Sequence, residues 1–82
     1  MVGYAVELYA PTEQRVGEDV DRVRAASEAM TSEGTPVRYV RSLLLCDDDT
    51  CFLLFEAPSA EAVGEASRRA ELSYVRIVEA VG

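Results

Sequence analysis

The sequence has 82 residues, with 15 acidic side chains against 8 basic ones and a formal net charge of -7. Every basic residue is arginine, and lysine, histidine and tryptophan are absent. That vocabulary excludes Ser-His-Asp and Cys-His catalysis, Schiff-base chemistry on lysine and histidine-containing zinc sites within one chain. An acidic chain also matches a phosphate backbone poorly, so no nucleic-acid partner is expected.

The length suits a single domain over residues 1–82, and a domain this small buries only about 60–65% of the surface of its unfolded chain. Apolar residues make up 49% and charged residues 28%, a globular rather than a disordered balance. Met1-Val2-Gly3-Tyr4 leads directly into a strand-like pattern without a basic, apolar leader. No run approaches the ~20 apolar residues of a membrane span. The expectation is a cytoplasmic protein with no membrane partner.

Tyr4 to Tyr9 alternates with period two, placing Tyr4, Val6 and Leu8 on one face and Ala5, Glu7 and Tyr9 on the other, and reads as a first strand. Pro11, Thr12 and Gly17 suggest a loop. Val20, Val23, Ala26 and Met30 then recur at helical spacing, with acidic residues in the first turn. The pattern predicts a helix of roughly 14 residues, ended by Gly34 and Pro36. Val37 to Cys46 and Cys51 to Ala57 are rich in β-branched, aromatic and leucine side chains and flank Asp47-Asp48-Asp49-Thr50, which predicts a hairpin. Ser59 suits an N-cap for a second helix that turns Val63, Ala66, Ser67 and Ala70 inward. Tyr74 to Val81 reads as the last strand.

The order βαββαβ in so short a chain predicts an α+β, ferredoxin-like fold: a four-stranded antiparallel sheet with both helices on one face. Right-handed crossovers give strand order 4-1-3-2. With a tip at residues 47–50, Cys46 stands opposite Cys51 and Arg41 opposite Glu56. One sheet face then carries Val37, Tyr39, Arg41, Leu43 and Leu45 beside Phe52, Leu54 and Glu56. That face is too apolar for water, so a homodimer joined through the open faces is expected.

The same register lays Arg76, Glu7, Glu56 and Arg41 across the open face in a row. Either these are two ion pairs that fix a dimer register, or Glu7 and Glu56 bind a divalent metal or a polar ligand. In the second case Tyr9, Tyr39, Phe52 and Tyr74 rim the cavity, and Arg41 and Arg76 complete a ligand-binding set. The facing of the last strand stays open between Arg76 and Glu79. Asp47 to Asp49 read as a solvated tip or a hard-cation site, and Cys46 and Cys51 as buried thiols, a disulfide or a soft-metal pair.

Tyr4-x-Val6-Glu7, Val37-Arg38-Tyr39-Val40-Arg41-Ser42, the stretch from Phe55 to Ala70 that begins Phe55-Glu56-Ala57-Pro58-Ser59-Ala60-Glu61-Ala62-Val63, and Val75-x-Ile77-x-Glu79 resemble a bacterial family. Its described type is a small nickel-binding, nickel-responsive protein with a ferredoxin-like fold that dimerises. The resemblance spans residues 4–79 and implies that fold, a homodimer, and nickel or another divalent metal as cofactor, with Glu7 and Glu56 as matching carboxylates. Without histidine, other ligands would be carboxylates, cysteines, backbone groups or water.

Three functions follow. The first is a non-enzymatic metal-binding protein. The second is a dimeric α+β-barrel small-molecule binder, or a cofactor-independent monooxygenase or isomerase, by fold analogy. The third is a structural or regulatory module without a ligand.

Overall fold

A computed structural model describes residues 1–9, 12–45 and 50–80 of the chain. Six elements follow the expected order: β1 (Val2–Leu8), α1 (Glu13–Ser32), β2 (Arg38–Leu45), β3 (Thr50–Ala57), α2 (Ala60–Arg69) and β4 (Tyr74–Glu79). The strands form one antiparallel sheet in the order β2-β3-β1-β4, which is 4-1-3-2 read from the other edge. The architecture is the predicted α+β, ferredoxin-like one.

The alternation of β1 decides where the core lies. Tyr4, Val6 and Leu8 are buried and pack with Leu53 and Phe55 of β3, Val23, Ala26 and Met30 of α1, and Val63 and Ala66 of α2. Phe55, Leu53, Val6, Val23 and Val63 are almost wholly removed from water. Burial of each such side chain stabilises the fold by about 1.5–3 kcal/mol. The helices therefore cover one sheet face and leave the other open.

Helix α1 is 20 residues long, against the roughly 14 that the sequence pattern predicts, and takes in Gly17, which that pattern places in a loop. Two local effects account for this. The Thr12 hydroxyl accepts the backbone N–H of Arg15 at 3.2 Å, capping the helix earlier than expected. Val16 and Val20 then pack against the core and carry the apolar stripe through the extra turn. Their burial offsets the roughly 0.5–1 kcal/mol that a helical glycine costs.

Both helices end in the same way. The Gly34 N–H donates to Thr31 and the Thr35 N–H to Met30, with Gly34 in the left-handed region at φ 108°. At α2 the Glu71 N–H donates to Arg68 and the Leu72 N–H to Ser67, with the non-glycine Glu71 at φ 56°. These are paired Schellman closures. Ser59 caps α2 as expected, accepting from the Ala62 N–H at 3.3 Å.

Polar contacts tie the helices to each other. Buried Asp19 pairs with Arg22, whose Nε donates to the Ala70 carbonyl at 2.8 Å. Arg69 bridges Glu33 at the end of α1 to Glu65 of α2, and Arg68 also holds Glu65. These arginines keep the Glu33 and Glu65 carboxyls below their ordinary range. Cys51, on the core side of β3, is a buried free thiol whose pKa is pushed up by burial and then by the nearby Asp19 charge.

The hairpin register differs from the expected one. Leu45 pairs with Thr50, Leu44 with Cys51, Leu43 with Phe52, Ser42 with Leu53 and Arg41 with Leu54. The predicted pairing of Cys46 with Cys51 is therefore replaced by Leu44 with Cys51. Cys46 and Asp47 to Asp49 lie outside the described residues. Beyond Arg41 the ladder skips Val40, so that Tyr39 pairs with Phe55 and Arg38 with Glu56. A second skip occurs on β4, where Arg76 pairs with Glu7 but Tyr74 pairs with Leu8, leaving Val75 out. Each is a β-bulge in an outer strand. The bulge at Val40 reverses the facing of everything before it: Val37 and Tyr39 turn toward the helices, and Arg38 turns to the open face.

Candidate functional site

The open face consists of three rows, each crossing the sheet from β2 to β4. The first holds Leu43, Phe52, Glu7 and Arg76; the second holds Arg41, Leu54, Ala5 and Val78. The third holds Arg38, Glu56 and Gly3, and beside Gly3 the Ala80 N–H donates to the Gly3 carbonyl at 2.8 Å. Gly3 suits the close approach, since a Cβ at this position would stand 3.0 Å from the Ala80 carbonyl oxygen. The middle row is mainly apolar, and a carboxylate-arginine pair stands at either end of the face.

In the first row Arg76 Nε donates to Glu7 Oε1 at 2.8 Å. In the third Arg38 Nη1 donates to Glu56 Oε1 at 2.7 Å. Both arginine side chains are about two-thirds exposed, and Glu7 is the most sheltered of the four charged groups. Exposed ion pairs of this kind are worth about 0–1 kcal/mol. Either arginine can leave its glutamate at little cost.

The expected row of Arg76, Glu7, Glu56 and Arg41 holds at one end only. Arg76 faces the open side and pairs with Glu7, while Glu79 stands opposite Tyr4 on the helix side. Glu56, however, stands opposite Gly3, four residues along β1 from Glu7. At ~3.3 Å per residue the two glutamates are about 13 Å apart along the strand direction, too far to share an ion within one protomer. Arg41 stands opposite Leu54 and not Glu56, whose partner is Arg38. The hairpin pairs two residues out of the expected register, which moves Arg41 from Glu56 to Leu54, and the bulge at Val40 then brings Arg38 opposite Glu56.

The aromatic rim also disperses. Phe52 stays on the open face, half-buried beside Glu7. Tyr39 is turned to the helix side, edge-on to Phe55 with ring centroids 5.7 Å apart and with the Arg24 guanidinium 5.4 Å above its ring. Tyr9 is exposed beyond the end of β1, and Tyr74 stands opposite Leu8 past the second bulge. The predicted ring of Tyr9, Tyr39, Phe52 and Tyr74 around one cavity is not formed, because two bulges change the facing of β2 and β4.

Arg38 is the open-face residue that sequence reasoning missed. The signal was present in Arg38 and Arg41: an odd spacing puts them on opposite faces of a regular strand, and one extra residue between them puts both outside.

Among the described residues no group of three or more histidine, cysteine, aspartate or glutamate side chains is gathered as a metal site. Glu7 and Glu56 are hard oxygen donors suited to a divalent cation, but one protomer does not assemble them into a chelating set. No helix among these residues is long and apolar enough to cross a membrane.

The fold and its open face define a small ferredoxin-like α+β protein that presents an apolar sheet band between two ion pairs. The chain belongs to the SCO4226-like family of nickel responsive proteins, whose model matches residues 7–80. The crystal structure of SCO4226 from Streptomyces coelicolor A3(2) is similar over 95% of this chain and 94% of that one, with a TM-score of 0.74 and 20% sequence identity. That likeness establishes the shared fold. No curated protein matches the chain in sequence.

Proposed function

We propose that the chain is a non-enzymatic, nickel-responsive binding protein that acts as a homodimer joined through the open sheet face, with Glu7 and Glu56 as its metal-facing carboxylates. The observation that carries this reading is the three-row face, an apolar band with a displaceable carboxylate-arginine pair on either side. Membership of a nickel responsive family supports nickel as the ion.

The physical argument runs from burial to donors. Leu43, Phe52, Leu54 and Val78 form a contiguous apolar strip that a small domain gains by covering. An isologous contact buries the strip twice over and brings each protomer's carboxylates to a shared interface. The two glutamates of one copy are too far apart to chelate, so a metal site on this face requires carboxylates from two copies. Loss of Arg76 and Arg38 from their partners would accompany occupancy, at the small cost of exposed ion pairs.

Calorimetry with nickel chloride on tag-free protein, paired with sedimentation velocity, tests the reading. The wild type is expected to sediment as a dimer and to release or absorb heat with nickel. Glu7→Gln and Glu56→Gln should each weaken binding by about tenfold or more while preserving the dimer. Leu54→Arg, which sets a charge in the middle row, should give a monomer without nickel heat. A wild type that shows no heat at millimolar nickel overturns the metal assignment, and a monomeric wild type overturns the dimer.

A further inference from the structure

A groove of about 780 Å³ runs between the C-terminal half of α1 and the start of β2, at the outer edge of the sheet, where Arg38 also reaches across to Glu56 of the open face. Its volume is in the range of small-molecule sites, roughly 300–1,000 Å³. Val37 and Tyr39 supply its apolar wall, and the bulge at Val40 is what turns both of them there. We propose that this groove binds a small monocarboxylate with an apolar body, its carboxylate held by Arg24 and Ser27 and its body lying against Val37 and Tyr39.

Two observations point to a ligand independently of each other. Ser27 is only 3% exposed, and its Oγ is the one buried side-chain polar atom among the described residues with no hydrogen-bond partner. Ser67, equally buried in α2, donates to the Val63 carbonyl one turn back at 2.8 Å. Ser27 makes no such bond and lines the groove instead. A buried hydroxyl left without a partner is costly, and rotation of the Ser27 side chain toward the groove would let a ligand oxygen remove that cost.

The second observation is Arg24. In a chain with almost twice as many acids as arginines, Arg22, Arg38, Arg68, Arg69 and Arg76 all hold carboxylates. Arg15, Arg24 and Arg41 make no ion pair among the described residues, and of these three it is Arg24 that lines the groove and is stacked over the Tyr39 ring at 5.4 Å from its centroid. That stacking orients the guanidinium and leaves its fork of donors free for a planar carboxylate, a fit that lysine would not provide. Arg38 lines the same groove and spends one nitrogen on Glu56. Glu28 is the acidic residue of the lining. Together with the net charge of -7 it disfavours a multiply charged anion such as phosphate and leaves a monoanion as the preferred class.

Titration of isotope-labelled protein with benzoate at constant ionic strength, followed by amide NMR shifts, tests this. Saturable shifts centred on residues 24–39 are expected, with benzamide and inorganic phosphate each binding at least about tenfold more weakly. Arg24→Gln should weaken benzoate about tenfold, and Arg24→Lys, which keeps the charge but loses the fork, should weaken it measurably too. Ser27→Ala should weaken it by roughly 2–10-fold while the spectrum stays that of a folded protein. Shifts that do not saturate, that centre on Glu7 and Phe52, that are equal for benzamide, or that persist unchanged in both Arg24 variants would overturn the proposal.

Discussion

Glu71 is the described non-glycine residue held in the left-handed backbone region, at φ 56°, where it closes the end of α2. An L side chain there costs about 1 kcal/mol, and glycine has no such penalty. Glu71→Gly is therefore expected to stabilise the domain by about 0.5–1 kcal/mol in urea unfolding, with part of the gain lost to the greater freedom of the unfolded chain. The comparison with Gly34, which occupies the same position after α1, shows why this was only half visible beforehand. Gly34 announced its role by its identity, whereas Glu71 adopts the same geometry because the Leu72 N–H must reach the Ser67 carbonyl. Side chains whose role follows from their own chemistry are legible in the same sense, Ser59 as a cap and Tyr4 and Val6 as core, whereas the facing of Arg76 toward Glu7 was open between it and Glu79. Val40 and Val75 were not legible, since period-two reasoning has no symbol for an inserted residue and a valine fits a regular strand equally well.

Order, type and neighbourhood of the elements could be read because each depends on a run of residues rather than on one. Register could not: a two-residue shift of the hairpin took Arg41 from Glu56, and the bulge at Val40 separately turned Tyr39 to the helix side. Between elements, the contact of Arg69 with Glu33 and Glu65 links the end of α1 to the middle of α2. Its pH dependence has a definite sign. Both carboxyls titrate below the ordinary 4.5 in the folded protein, with hydrogen bonds from arginine as the leading cause. The stability they contribute is thus present above that value and fades as the pH falls through the lower folded-state values. Arg69→Gln should lower the melting temperature near neutral pH, and the gap to wild type should narrow in melts recorded at progressively more acidic pH. A gap independent of pH would mean that Arg69 acts through its aliphatic stem instead.

At the scale of the whole molecule, size governs the energetics. A domain of this length has a net stability of about 4–12 kcal/mol. Phe55, 1% exposed and in edge contact with Tyr39, anchors the core from the inner strand β3. Phe55→Ala should cost about 3–5 kcal/mol and leave a substantial unfolded fraction in circular dichroism at moderate temperature. So thin a margin gives the proposed homodimer a thermodynamic purpose, because covering the strip around Leu54 adds stability that one copy lacks. It also makes uncontrolled sheet growth a hazard, and here the two inserted valines acquire a meaning beyond facing. The outermost strands β2 and β4 are the places where another chain could add itself, rung by rung, without limit. Val40 and Val75 interrupt the ladder of exactly these two strands and leave neither border straight enough to serve as a template. Association along the edges has no natural end, whereas association through the face closes on two copies, and the two irregularities disfavour the open-ended route, in keeping with the closed dimer proposed above.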